Sequence, residues 1–399
     1  MTIAFIRAQT LKIILLLTFG QAGPVILSSA FPQVATYFNQ SLSAVKWVVT
    51  LYFLGFSFGQ LFYGPLANRW GRIICFKRGM LFSLIGSLLS VVSVYNHSFY
   101  LLLLGRLIEG LGASAAMVVG FTIISDLYSE AQSTRIIGLS MISFALTPAL
   151  AIFLGGIFVE YASWKYSLWM LFFYGIFALW YVSDLPETLK NKPELLSVKK
   201  IAANYFQVCC NKVFLIGSIL YGLSNAGIYV FTTEGPFIGS HFLHLSPASY
   251  GGYGAFTFVG TLIGGLLAIW LTKSLNTERA MDLGIATEAI IAVLMMSFFL
   301  YSMLSISSFF LPVIVWFISN ALLVSNANAL SLNYSKDKAN ASAMMSFINN
   351  LIAMIVMGVL GCIPLGFSMA LPIAWFVLVG LAIMFHTWLK IILISSRST

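Results

Sequence analysis

Charge is what this sequence has least of. Only 8% of its 399 residues are Asp, Glu, Lys or Arg, against about 25% in an ordinary soluble domain. With 60% hydrophobic residues, the chain has too few polar side chains to clothe a water-facing surface, so a soluble globular protein is excluded. Acid is scarcer than base, 12 residues against 21. The resulting net charge of +9 lies in short loops between apolar runs, which excludes nucleic acid as the partner. Cysteine is also rare. Cys75, Cys209, Cys210 and Cys362 show neither zinc spacing nor a secreted disulfide framework, and free thiols are expected. Of four histidines only His241 and His244, in "HFLH", are close; they read as part of a polar loop. There is no His/carboxylate metal cluster, phosphate-binding loop or extended soluble segment. The sequence therefore implies no cofactor or metal, and offers no support for an enzyme or an ATPase. The short alternating segments of a transmembrane β-barrel are missing too.

What the chain has instead is long apolar runs. A membrane span needs about 20 such residues, and twelve runs qualify: 11–35, 47–67, 75–95, 99–122, 134–158, 165–184, 213–235, 248–271, 280–301, 309–332, 341–363 and 370–391. The first begins like a signal peptide, but it outlasts a signal h-region and eleven spans follow, so it reads as helix 1. Lys and Arg set the orientation. Eighteen of the 21 fall at the N-terminal side and in alternate loops, Lys190, Lys192, Lys273 and Lys336 among them. Lys46 and Lys165 fall on the opposite side, and Arg106 lies within a span. Both termini are expected in the cytoplasm. The polar stretch 184–212 reads as a cytoplasmic linker between six spans in 1–183 and six in 213–399.

After the second run comes "GPLANRWGRIICFKRG", residues 64–79. This resembles the loop-2/3 signature of the major facilitator superfamily, a Gly-x-Leu-Ala-Asp-Arg-x-Gly-Arg-like run with Asn68 in place of its Asp. The N-terminal half resembles the bicyclomycin/chloramphenicol-resistance branch of drug/proton antiporters. The matching stretches are "FLGFSFGQLFYGPLANRWGR", "GRLIEGLGAS", "ISDLYS", "LTPALAIFLGG", "SWKYSLW" and "LPETL". "GGLLAIWLTKSLNTERAMDLG", 264–284, is similar to a degenerate second copy of the loop-2/3 signature about 200 residues on, as an internal duplication requires. The resemblance implies an all-α integral membrane fold of two six-helix bundles around a cavity. It implies alternating access, a small-molecule substrate, protons as the coupling ion, an inner-membrane location and a monomer in the lipid bilayer.

Arg106 and Glu109 stand three residues apart in span 4. They share a helix face, and a charge at the bilayer centre costs roughly 2.5–3.5 kcal/mol, so that face is expected on the central cavity. The family signature has this Arg, with Gln where Glu109 stands. Arg106 reads either as an anchor for an anionic or carbonyl group or as half of a neutralising pair; Glu109 reads as a proton carrier or as the other half. The Asp that the family carries in span 1, four residues before a Pro, is Ser28 here. Glu234, at the outer end of span 7, reads as a gate or coupling residue. Glu288, in span 9, reads as structural. In the family an acid at the position of Asp126 pairs with loop-2/3 arginines to close the inner gate, so Asn68, Arg69, Arg72 and Asp126 form the expected latch. Pro148 is expected to kink span 5. The cavity is expected to draw on Gln21, Asn225, Tyr229, Asn320 and Asn349. Amides, hydroxyls and aromatics suit an amphipathic organic compound, moved by proton-coupled efflux. The alternative is a selective metabolite or siderophore carrier whose ligand carboxylate Arg106 holds.

Overall fold

Apolar runs of this length, in a chain with few places for backbone groups to find water, satisfy their own hydrogen bonds only as helix. The computed structural model describes residues 3–189, 198–271, 274–335, 338–362 and 367–398. Lys190, Lys192, Lys273 and Lys336, and part of the predicted linker, lie outside the described residues. In chain order the helices are α1 (Ile3–Ala22), α2 (Phe31–Tyr37), α3 (Leu42–Val45), α4 (Trp47–Trp70), α5 (Arg72–Tyr95), α6 (Phe99–Leu127), α7 (Glu130–Tyr161) and α8 (Lys165–Val182). They continue with α9 (Val198–Cys209), α10 (Lys212–His241), α11 (Pro247–Thr257), α12 (Val259–Leu271), α13 (Thr277–Leu300), α14 (Ile306–Asn333), α15 (Lys338–Cys362) and α16 (Phe367–Ser398). Among the described residues there is no strand.

Ten helical segments are long and apolar enough to cross a membrane, α3–α4 and α11–α12 each counting as one. The other two predicted spans correspond to α1 and α8. Helix α8 has five Trp and Tyr residues in eighteen, which lowers its hydropathy and suits a membrane interface.

The first predicted span is not one helix. It stops at Ala22, turns through 23–27, makes a single 3-10 turn at Ser28–Ala30 and restarts as α2. The cause is Pro24. It has no N–H to give the carbonyl of Gly20, four residues back. Tyr52 Oη, from α4, donates to that carbonyl instead at 3.0 Å.

Helices α1 and α4–α8 pack around α6, and α10–α16 around α10 and α14. Both α4 and α5 lie close against α6: a Cβ on Gly55 would stand 2.1 Å from the Leu107 carbonyl oxygen, and one on Gly86 2.2 Å from the Glu109 nitrogen. The two most extensive seams between the sets are α7 with α11 and α4 with α15. In the first, a Cβ on Gly156 would stand 2.4 Å from the Pro247 carbonyl oxygen and 3.2 Å from the Gly251 Cα. Small residues let these two backbones touch.

Candidate functional site

A cavity of about 1730 Å³ lies between the two sets. It runs from Val25, Phe53 and Thr232 in the middle of the molecule to Asn68, Ser125 and Thr277 at the face that carries the basic loops. Gln21, Asn225, Tyr229, Asn320 and Asn349 all line it, as do Asn68 and Pro148. Aliphatic and aromatic side chains make up most of the rest. Among the described residues no Asp, Glu, Lys, Arg or His belongs to the wall.

The opposite end is sealed in layers. Phe53 of α4 meets Tyr229 of α10 edge to face, with ring centres 4.4 Å apart. Beyond them Phe31 stacks on Phe237 at 6.0 Å. Lys46, at the start of α4, then pairs with Glu234 of α10 at 2.6 Å, both side chains buried. The Lys46 ammonium also donates to the Leu360 carbonyl of α15 at 3.4 Å. The sequence marked Glu234 but read Lys46 only as an outer loop cation. The usable signal was that both residues fall at the same end of their spans. Glu234 is thus at the seal and not in the cavity wall.

Arg106 and Glu109 correct the sequence-based expectation. Neither faces the cavity. Arg106 is 0% exposed and Glu109 1%. Arg106 Nη1 donates to Glu109 Oε2 at 2.8 Å, Nη2 donates to the Gly23 carbonyl at 2.6 Å, and the guanidinium lies 4.5 Å from the Tyr52 ring centre. The pair is walled in because the break in α1 exposes backbone carbonyls on the inner side of the first helix set. A guanidinium and a phenol satisfy them there. The carboxylate-anchoring role is closed to Arg106 in this conformation.

The expected latch is only partly assembled. Arg72 Nε donates to Asp126 Oδ2 at 3.0 Å, and Arg72 Nη1 donates to Asn68 Oδ1 at 2.8 Å and the Ala67 carbonyl at 2.9 Å. Arg69 is exposed and stands apart from this cluster. Two residues of "LPETL" complete it. Thr188 Oγ1 donates to Asp126 Oδ2 at 2.7 Å, and Glu187 accepts from the backbone nitrogens of Arg72 and Ile73 at 2.8 and 3.1 Å. Gly71, with φ +95°, makes the turn that aims those nitrogens. The start of the linker is therefore clasped to the first helix set. Nearby, the Lys12 ammonium hydrogen-bonds Asp184 and holds that carboxyl below its ordinary value.

A chain of side-chain hydrogen bonds crosses the cavity roof. Asn225 Nδ2 donates to Asn349 Oδ1 at 2.9 Å, and Asn320 Nδ2 donates to Asn225 Oδ1 at 3.1 Å and Ser224 Oγ at 2.9 Å. Asn349 Nδ2 donates to Asn350 Oδ1 at 3.4 Å, and Asn350 Nδ2 donates to Gln60 Oε1 of α4 at 3.2 Å. At the far end Ser224 Oγ donates to the buried carboxyl of Glu288. The reading of Glu288 as structural did not include that contact.

Helix α9 was not foreseen. Val198, Ile201, Tyr205 and Val208 recur at helical spacing. Tyr205 and Val208 pack on α15, and Ile201, Asn204 and Tyr205 lie at the cavity mouth.

A many-helix membrane protein with two packed helix sets, a central cavity open at one face and a seal at the other is a carrier. The Major Facilitator Superfamily model matches residues 13–361, and the chain belongs to that family. It is 27% identical over 283 residues to an uncharacterized transporter of Rickettsia bellii, covering 69% of this chain and 68% of that one. It is 26% identical over 211 residues to a bicyclomycin resistance protein homolog of Haemophilus influenzae, 52% of each. It is also 26% identical over 254 residues to the multidrug transporter MdfA of Yersinia pestis, 63% of this chain and 61% of that one. A crystal structure of a D-xylose-proton symporter shares the fold with a TM-score of 0.78 at 16% identity, covering 94% and 97% of the two chains. The protein is a multi-pass membrane transporter of a small molecule, and not an enzyme.

Proposed function

We propose that the chain exports amphipathic, largely uncharged organic compounds in exchange for protons. The observation that carries this reading is the cavity wall: about 1730 Å³ lined by aromatics, aliphatics and amides, with no charged side chain among the described residues. A sugar phosphate or carboxylate would be stripped of water there with no fixed charge to meet it. An amphipath buries apolar area at about 25 cal/mol per Å² and finds its few hydrogen bonds in the Asn cluster. The bicyclomycin-resistance and multidrug relatives support the same substrate class. The basic face is taken as cytoplasmic, which makes this the inward-open state. Everted vesicles carrying the protein should accumulate labelled bicyclomycin when their lumen is acidified, and lose it when nigericin collapses the pH gradient. Accumulation that survives nigericin rules out proton coupling. A failure to accumulate bicyclomycin or any neutral amphipath rules out the efflux reading.

A further inference from the structure

We infer that Glu288 is the proton-binding site of the C-terminal helix set, and that Ser224 and Asn320 report its ionisation to the cavity. This rests on the proton-coupled reading above. Its starting point is geometry. Glu288 is 1% exposed and lies two turns or more inside α13, with Ser224 of α10 donating to it. No cation meets it. Helix α14, packed along α13, has no charged or histidine side chain from Ile306 to Asn333. Helix α10 has Lys212, Glu234 and His241, at or near its ends, and the phenols Tyr221 and Tyr229. On α16, His386 and Lys390 both meet Asp282, nearer the basic end of α13. Glu278 and Arg279 lie in the first turn of α13.

A structural carboxylate in such a place would have a counter-ion, because an unpaired buried charge is strongly disfavoured. Glu109 and Glu234 both have one. Glu288 has a hydroxyl instead, and that hydroxyl touches the cavity wall through Asn320. The chemistry of the contact makes it a switch. A carboxylate only accepts, so the Ser224 proton must point at it and Ser224 Oγ is left to accept from Asn320. A carboxylic acid has a proton of its own to donate to Ser224 Oγ. The Ser224 proton is then free to turn elsewhere, and it competes with Asn320 for acceptors in the amide cluster. That cluster ends on Gln60 of the other helix set. Loading or losing one proton at Glu288 therefore alters hydrogen bonds at the substrate wall and across the seam between α4 and α15. Such a site would stand in for the carboxylate that span 1 lacks at Ser28.

The test is an infrared pH titration of the full chain in lipid nanodiscs, following the C=O stretch of protonated carboxyls. One titrating band should vanish in Glu288→Gln and remain in Glu109→Gln and Glu234→Gln. Ser224→Ala, which keeps the carboxyl but removes its partner, should move the midpoint of that band. A wild type with no titrating band, a band that persists in Glu288→Gln, or a midpoint unmoved in Ser224→Ala overturns the inference. The Ser224→Ala result decides alone if Glu288→Gln does not fold. In everted vesicles a folded Glu288→Gln should lose at least tenfold of its gradient-driven bicyclomycin accumulation; full accumulation also overturns the inference. A wild type that moves no bicyclomycin defeats the efflux reading, while the infrared titration still decides the fate of Glu288.

Discussion

Arg106 Nη2 donates at 2.6 Å to the carbonyl of Gly23, 83 positions earlier in the chain. That bond ties the most buried cation of the first helix set to the break in its first helix. The charge in the middle of an apolar span is thus explained by the backbone it serves. Removing one partner of a buried ion pair costs about 3–5 kcal/mol, and here a backbone carbonyl is stranded as well. Arg106→Ala should lower the thermal unfolding temperature sharply in detergent. Tyr52→Phe, which strands only the Gly20 carbonyl, should lower it less, by about 1–3 kcal/mol of stability. An Arg106→Ala protein of unchanged stability that no longer binds substrate would return Arg106 to a ligand role.

The Lys46–Glu234 pair seals the end opposite the cavity mouth, and its two members come from different helix sets. The proposed export cycle requires this contact to break. Lys46→Ala or Glu234→Ala should each leave a buried charge unpaired and weaken the seal, again by about 3–5 kcal/mol. A double Lys46→Met, Glu234→Met variant should recover most of that by replacing the pair with apolar volume. The measurement is alkylation of an engineered Ile26→Cys by a membrane-impermeant maleimide added from the sealed side. Reaction should speed up at least tenfold in the single variants and return toward the parent rate in the double variant. Equal rates in all four proteins would mean the pair does not hold the seal.

The spans and the interruptions of their pattern were legible in the sequence because hydropathy reports depth in a bilayer. Direction was much less legible. Helix α6 is apolar on every side, so its sequence does not say which face Arg106 and Glu109 present. The cavity expectation for them came from excluding lipid, which left two buried options, and the structure takes the one away from the cavity. The contact of Glu288 was hidden for the same reason: it depends on Ser224, 64 positions away, being on the facing side of α10. The cavity amides were easier to find. Asn is rare in apolar runs, and its burial needs a partner wherever it points. Pro24 also signalled a missing hydrogen bond, but membrane helices tolerate Pro, so the break was read as continuous helix.

Asp126 is held by Arg72 and Thr188, so it joins the loop after α4 to the start of the linker on one side of the cavity. Among the described residues its partners are both on the first-set side of the cavity. Asp126→Asn should therefore loosen residues 184–189 without opening the seal. Hydrogen exchange at the backbone nitrogens of Arg72 and Ile73, which Glu187 now caps, should rise several-fold. Alkylation of Ile26→Cys should not change. Faster exchange together with a changed seal would show that the cluster also acts across the cavity.

The contact of α7 with α11 is a backbone-to-backbone seam between the two helix sets. Gly156 has the Pro247 carbonyl 2.4 Å, and the Gly251 Cα 3.2 Å, from where a Cβ would stand. All of these contacts are with backbone, so no flexible side chain can swing aside. Gly156→Val must push the two helices apart, and it does so at the sealed end. The cavity mouth lies at the other end of α7, and Ile137 and Phe144 of α7 line the cavity together with Gly265 and Ile269 of α12. Rotation of one helix set about the centre would widen the sealed end and narrow that mouth. Spin labels at Tyr161 and Ser249 should move apart by several ångström in Gly156→Val, and labels at Ile137 and Ile269 should approach. Gly156→Ala should show the same changes at smaller amplitude. Separation at the first pair without approach at the second would mean that α7 bends alone, at Pro148, and that the two helix sets do not rotate as units.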